Sequence, residues 1–504
     1  MSNPDDKIIS LENKKSGLMQ TDVLCYGHFS VLHPGHFRYL NYAAKQGKRL
    51  SVLIKGDIFL KNSLTNEPEF SEKDRALSVA SLNVVDEVIR QKEIPLHIAI
   101  KTIHPKILIL GKEFEEEQSE EMRKAISVVK SWGGSVEFHA GETSYSVTKL
   151  TSETEKSESL IRRQLHRNAC KNFGITNDIL IEKIKTFPDA SLLVVGDTIM
   201  DQYIACDALG MSAEAPVVAF KEVDQAEYLG GAAIVAAHVR ALGAKCHFIS
   251  VTGEDLAAEK VSKALRSYGV VPMLTSDRSR PTTYKIRYMS EQQKMFRVSR
   301  IKDHNISQEI ERSILDSLYE IAPIVDAILV CDFVYGCITP NIISAIYELA
   351  SKHDIILFGD LQCSSQIGNI LKFRGFNTLC PTEREARICL GNKDDGIEHV
   401  ANEIIQKAAC ENLILKLGAE GFITYHNVAG KHNIRQHFPA LVTNPIDVAG
   451  AGDSLLSGFA VSLCSEMSIM EASALASFVA AEAVSSIGNT PIKAEKLIER
   501  IRSF

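Results

Sequence analysis

The sequence predicts an α/β protein of two domains, each built on a doubly wound parallel sheet. Three observations lead there. Short apolar runs alternate with amphipathic stretches of helical period from Thr21 to about residue 150, and again from Ser191 onward. Each patterned region holds one glycine-bearing junction that opens a helix, at Gly35 and at Gly450 with Gly452. The 504 residues also exceed what one hydrophobic core usually supports, since domains run to about 150 residues.

In chain order, residues 1–20 read as a tail. Residues 21–150 form the first domain, with strand-like runs at 23–26, 50–54, 88–89 and 107–110 and helical spacing at 37–46 and 71–83. Residues 151–188 are a polar linker with a helical end. Its basic cluster of Arg162, Arg163, His166 and Arg167 reads as a solvated helix face. Residues 189–504 form the second domain, with buried-strand candidates at 191–195, 327–331, 355–358 and 413–417.

Composition excludes several classes. The chain is 45% hydrophobic and 24% charged, which is too apolar for wholesale disorder. Lys plus Arg number 56 against 63 Asp plus Glu, and the net charge of −7 gives no general attraction to nucleic acid or to an anionic membrane. The eleven cysteines form no CxxC pair, so neither a disulfide framework nor a zinc knuckle is indicated. No signal-peptide core and no run of about 18 apolar residues occurs. These features predict a cytoplasmic protein whose partners are small molecules; the expected assembly is a homodimer.

Residues 25–36 read Cys-Tyr-Gly-His-Phe-Ser-Val-Leu-His-Pro-Gly-His, a strand end at Gly27 followed by His33, Pro34, Gly35 and His36 at a helix start. Helix-start amides attract phosphate oxygens, and two histidines there can stabilise departing pyrophosphate. A metal pair or two structural histidines is the alternative. The segment resembles the HxGH signature of cytidylyltransferase-like nucleotidyltransferases. The resemblance, running through most of residues 21–150, implies a Rossmann-like fold in which His33 and His36 bind and activate a nucleoside triphosphate, ATP or CTP. It further implies nucleotide contacts from Gly27, Lys61, Arg75, Ser146 and Thr148. Ser30, Lys112-Glu113 and Val147 depart from the family pattern.

Residues 447–458 read Asp-Val-Ala-Gly-Ala-Gly-Asp-Ser-Leu-Leu-Ser-Gly, and an apolar helical pattern follows. Small residues at Ala449, Gly450, Ala451 and Gly452 let backbone N–H groups form an anion-binding concavity. Asp453 beside it is either a helix cap or a base that accepts a proton from an attacking hydroxyl. The segment resembles the C-terminal signature of ribokinase-like PfkB sugar kinases, over about residues 190–495. That resemblance implies ATP as phosphoryl donor, Asp453 as general base, and the four small residues on the transferring group. It places sugar contacts at Asp197, Asp201, Gly230 and Gly231, and gives Glu385 to Mg²⁺ through water. Further stretches are similar to the heptose 7-phosphate kinase branch, where Lys285, Arg287 and Arg297 would anchor a substrate phosphate. Thr382 stands where the family's Asn-x-x-Glu motif begins, and residues 359–363 replace its Asp-Pro-Lys-Gly stretch.

Together the two resemblances imply consecutive reactions, phosphorylation of a sugar phosphate at its anomeric hydroxyl and nucleotidyl transfer to a sugar 1-phosphate. The pairing is similar to that of bifunctional heptose kinase and adenylyltransferases of bacterial surface-polysaccharide synthesis, with the domain order reversed. Alternatives are that one domain only senses a nucleotide or sugar, or that the substrate is another sugar or polyol phosphate.

Overall fold

The apolar run at residues 23–26 shows no polar alternation because both faces of its strand are buried. Val23 and Cys25 pack with Val52, Ile54 and Val88 on one face, and Leu24 and Tyr26 with Leu53, Ile89 and Leu108 on the other. The computed structural model describes residues 4–11, 21–30, 32, 34–60, 70–111, 114, 119–139, 155–212, 214–290, 293–362, 368–427 and 434–504. The chain divides into two compact units, one holding residues 1–153 and 391–402 and the other 154–390 and 403–504.

The first unit carries β1 (Ile8–Ser10), β2 (Val23–Gly27), β3 (Leu50–Ile54), β4 (Glu87–Arg90), β5 (Ile107–Gly111) and β6 (Ser135–His139) in the order β1-β4-β3-β2-β5-β6. All five pairings are parallel. The four expected strands and both expected helices, now Pro34–Lys45 and Glu72–Ala80, are present. Part of the expected tail is instead strand β1, held on β4 at Ile8↔Val88. Strand order reverses between β2 and β5, and a ligand crevice opens at the carboxyl ends of such strands.

The second unit contains β7 (Ser191–Gly196), β8 (Thr198–Met211), β9 (Val218–Gly231), β10 (Lys245–Thr252), β11 (Val271–Ser276), β12 (Thr283–Ser290), β13 (Gln293–Arg300), β14 (Ala327–Asp332), β15 (Ile356–Leu361), β16 (Thr378–Leu379), β17 (Asn412–Lys416), β18 (Phe422–His426) and β19 (Ile434–Phe438). Nine form one sheet, β11-β10-β7-β14-β15-β16-β17-β18-β19, parallel as far as β17 and antiparallel beyond it. A separate four-stranded sheet runs β13-β12-β8-β9. Gly196, Asp332, Leu361 and Lys416 end their strands at the same edge of the large sheet, and the cavity described below lies there. The helices Ala451–Cys464 and Ile469–Ala483 pack apolar faces into the core, the second opened by a reciprocal Ser468–Glu471 capping box.

The linker corrects one expectation. Residues 155–172 form a helix, and Arg162 and His166 on it are buried rather than solvated. His166 sits edge-on to Phe438, Phe478 and Phe504 at 5.0–5.9 Å. Only Arg163 and Arg167 stay exposed, lying over the Phe504 ring.

Burial lowers the imidazole pKa of His166 to about 4 and that of His238 to about 3. Both are neutral when folded but bind a proton near pH 6.5 once unfolded. Stability of this unit is therefore full above about pH 6.5 and falls by up to about 1.4 kcal/mol per pH unit for each histidine between there and about pH 4. Urea titrations at pH 7 and pH 5 are expected to show the loss, and His166→Phe should lessen it.

Candidate active sites

In the first unit the helix Pro34–Lys45 begins after β2, so its free amides face the crevice beside β2 and β5. His36, its third residue, lies 4.9 Å ring to ring from buried Phe29, whose backbone takes a left-handed φ of 50°. Glycine fits at the end of β2, where a Cβ would come within 2.9 Å of the Phe29 ring. His33, Lys61, Ser146 and Thr148 lie outside the described residues.

Arg75 requires a correction. Its side chain is fully buried, and the guanidinium donates to the carbonyls of His28 (2.5 Å), Lys55 (2.8 Å) and Phe70 (3.1 Å) and to Asp57 Oδ1 (2.6 Å). Four of five donors are used within the protein. Arg75 thus fixes the loops around the crevice instead of reaching phosphate. Sequence reasoning missed Lys55, half-buried just after β3, whose ammonium is pushed down in pKa chiefly by burial.

In the second unit a cavity of about 620 Å³ opens along the strand ends. Strands of the small sheet supply its cationic end: Lys285, Arg287 and Arg297 line it together with Asp201. Arg287 pairs with Asp201 at 2.5 Å, and Asn489 donates to the same carboxylate at 3.2 Å. Lys285 is buried, with its ammonium 5.1 Å from the Phe333 ring and 5.5 Å from the Tyr335 ring. The turns after β17 and β19 supply an apolar end that includes Ala419, Ala440, Leu441, Val442 and Val448.

Asp453 lies between these ends, third in the helix Ala451–Cys464, buried and accepting from Gln362 Nε2 at 2.8 Å. Burial pushes its carboxyl up to about 7, nearby Asp360 adds to the shift, and Lys416 opposes it. Lys416 ends β17 and donates to Asp360 Oδ1 at 2.8 Å, 3.3 Å from where a Gly452 side chain would begin. Burial works against its charge, but Asp360 and Glu385 outweigh burial and hold its pKa above the ordinary lysine value. The arrangement offers a proton acceptor and a fixed cation at one helix start, as phosphoryl transfer needs.

Other expected residues fall as follows. Ala449, Gly450, Ala451 and Gly452 all line the cavity, and Gly450 takes a φ of 77° where a Cβ would strike Asn489. The Ala449 amide, however, is bonded to Asp447 Oδ1 at 3.0 Å, so anion binding rests on the first-turn amides after it. Asp447 also accepts from Tyr203 at 2.7 Å and Lys294 at 2.8 Å, anchoring this loop to the small sheet. Gly231 lines the cavity; Gly230 does not, but it leaves room for Asp201, since a Cβ there would sit 2.4 Å from Asp201 Oδ2.

Asp197 is the second correction. Its carboxylate accepts from the amides of Phe333, Tyr335 and Cys337 at 2.8–3.4 Å, and it is absent from the cavity wall. It shapes the turn carrying the rings beneath Lys285, a turn in which Val334 adopts a strained φ of 61°.

A family model described as pfkB family carbohydrate kinase matches residues 189–496, more than half of the chain. The chain belongs to the pfkB family. A cytidylyltransferase-like model matches residues 24–165 ahead of the pfkB unit. Curated relatives include the bifunctional protein HldE of Pelobacter propionicus, 29% identical over 326 residues, which are 64% of this chain and 64% of the relative. HldE of Rhodopseudomonas palustris is 30% identical over 64% of this chain and 65% of its own length. The matched stretch thus spans a little under two thirds of these relatives. Among solved structures, phosphofructokinase-2 of Escherichia coli superposes with a TM-score of 0.52 at 14% identity, over 62% of this chain and 99% of that one. Ribokinase of Arabidopsis thaliana does so at 0.50 and 20%, with the same coverage of each chain. Both share the fold of the pfkB unit.

The pfkB unit's donors fit the Mg²⁺ that its family implies. Mg²⁺ is usually held by one or two carboxylates together with substrate phosphates. Glu385, nearly buried on the cavity wall and fixed through the Thr382 amide at 2.8 Å, supplies such a carboxylate. No group of three His, Cys, Asp or Glu that could hold a metal occurs among the described residues. The ion would neutralise charge on the β- and γ-phosphates. No helix among the described residues is long and apolar enough to cross a membrane.

Proposed function

We propose that the chain is a bifunctional nucleotide-sugar enzyme. Its pfkB unit phosphorylates a sugar phosphate from ATP, and its cytidylyltransferase-like unit joins a sugar 1-phosphate to a nucleotide. The observation that carries the first activity is Asp453, a buried carboxyl of pKa about 7 between a cationic end and an apolar end of one cavity. In this reading Lys285, Arg287 and Arg297 receive the phosphate already on the sugar, and the apolar end receives the base of ATP.

The acceptor hydroxyl attacks the γ-phosphorus, its proton passes to Asp453, and the bond from that phosphorus to the β–γ bridging oxygen breaks to release ADP. Lys416 and the helix amides stabilise charge on the transferring group. In the second reaction an oxygen of the sugar 1-phosphate attacks the α-phosphorus of a nucleoside triphosphate, and pyrophosphate leaves beside His33 and His36.

The resemblance of its kinase stretches to the heptose 7-phosphate kinase branch favours D-glycero-D-manno-heptose 7-phosphate as acceptor, the 1,7-bisphosphate as first product and ADP-heptose as final product. A separate phosphatase must act between the steps, because the nucleotidyl acceptor is the 1-phosphate. Incubating the full chain with heptose 7-phosphate, ATP and Mg²⁺ is expected to give the bisphosphate by mass spectrometry. Heptose 1-phosphate with ATP or CTP should give a nucleotide-heptose and pyrophosphate. His36→Ala should abolish only the second product; loss of both products in that variant contradicts two independent sites.

A further inference from the structure

The helix Glu155–Asn172 precedes the stretch matched by the pfkB model, which begins at residue 189. Its first part instead falls within the cytidylyltransferase-like match, which ends at residue 165. Yet one of its side chains, Arg162, bonds to the backbone of two residues that line the pfkB cavity. Arg162 Nη1 donates to the carbonyl of Ala419 at 2.7 Å and to that of Ala440 at 3.1 Å, while Nε and Nη2 are held by Glu158 Oε1 at 3.1 and 2.7 Å. Ala419 belongs to the turn Gly418–Glu420 after β17, and Ala440 follows β19; both line the apolar end of the cavity.

The two turns already meet closely. Gly421 has a φ of 90° and a Cβ there would lie 2.1 Å from the Phe438 carbonyl, while His437 Nε2 lies 2.9 Å from the carbonyl of Glu420. Arg162 adds a guanidinium that bonds to a carbonyl in each turn. One helical turn on, His166 wedges against Phe438, Phe478 and Phe504, so the helix is fixed where Arg162 needs it.

We infer that Arg162 is a positioning residue for the nucleotide end of the kinase cavity. It sets the spacing of the Ala419 and Ala440 turns that receive the base of ATP, so nucleotide affinity in the kinase depends on a helix that precedes the stretch matched by the pfkB model. This rests on the proposed reading of the cavity. The sugar-phosphate end and Asp453 touch neither turn through Arg162, so the effect is confined to one substrate.

The full chain is tested as Arg162→Met, which keeps the stem, and Arg162→Lys, which keeps the charge with fewer directed donors. In the phosphorylation assay the KM for ATP is expected to rise about tenfold in the methionine variant and less in the lysine variant. The kcat and the KM for the sugar phosphate should stay within about twofold. Amide hydrogen exchange gives a readout free of turnover and specific to this site. A non-hydrolysable ATP analogue should protect peptides covering residues 418–427 and 438–450, with half-protection at about tenfold higher analogue concentration in Arg162→Met.

Unchanged ATP KM and half-protection in both variants overturn the inference. So does a parallel fall of kcat, both KM-derived efficiencies and the thermal midpoint, which marks a purely structural residue. If the parent shows no analogue-dependent protection of these peptides, the function reading and the inference fall together. Protection in the parent without sugar phosphorylation overturns the substrate reading alone.

Discussion

Asp453→Asn is expected to lower kcat of sugar phosphorylation by about 10² to 10⁴, the usual range for loss of a general base. The substitution keeps the acceptor for Gln362, which donates to Oδ1 at 2.8 Å, so the helix start should remain in place. Binding of ATP and sugar phosphate should change little, and the loss should appear in kcat. The parent adds a second signature. Burial raises the Asp453 carboxyl to about 7, and only the deprotonated form accepts a proton. The rate should therefore fall about tenfold per pH unit below about pH 7 and level off above it. In Asp453→Asn that limb should vanish. A near-normal rate in this variant would remove the base from the mechanism.

Lys416→Met is expected to produce the second large effect, a fall of about 10² to 10³ in kcat from loss of the cation beside the transferring phosphoryl group. Two consequences separate this from simple misfolding. Lys416 opposes the upward shift of Asp453, so the acid limb of the rate profile should move to higher pH in the variant. Removing one partner of the buried Asp360–Lys416 pair should also cost about 3–5 kcal/mol by leaving the other charge unpaired. Adding Asp360→Asn should recover much of that stability without the rate. Stability and rate recovered together would make Lys416 a structural residue.

The central strands of the two parallel sheets were legible because they are buried on both faces and read as unbroken apolar runs, as at 23–26, 50–54 and 327–331. Strands β1 and β6 at the sheet edges were not, the first only three residues long and the second alternating polar with apolar residues, and neither was the small sheet, whose β9 and β13 are largely exposed. The linker misled in a more instructive way. Its charge suggested solvent, yet Arg162, His166 and Cys170 recur every four residues and share one buried stripe.

In the candidate sites, glycine-rich junctions were readable because few residues permit them, whereas the partners of long side chains were not. Arg75 and Asp197 have the residue types expected of ligand contacts, and their oxygen and amide partners come from segments distant in sequence. Lys416 left a signal that went unused. A lysine closing the otherwise apolar run Leu413, Ile414 and Leu415 is costly to bury without a charged partner.

The most direct test of the central claim follows phosphorus through the pfkB unit. With heptose 7-phosphate and ATP carrying ¹⁸O on the γ-phosphoryl group, mass spectrometry should find the label in a new phosphate at C1 of the sugar, with one ADP formed per label transferred. The same incubation with Asp453→Asn should leave the sugar unlabelled on that timescale. Label that stays in ATP or appears only in free phosphate with the parent chain, or that reaches C1 equally with Asp453→Asn, would contradict the account.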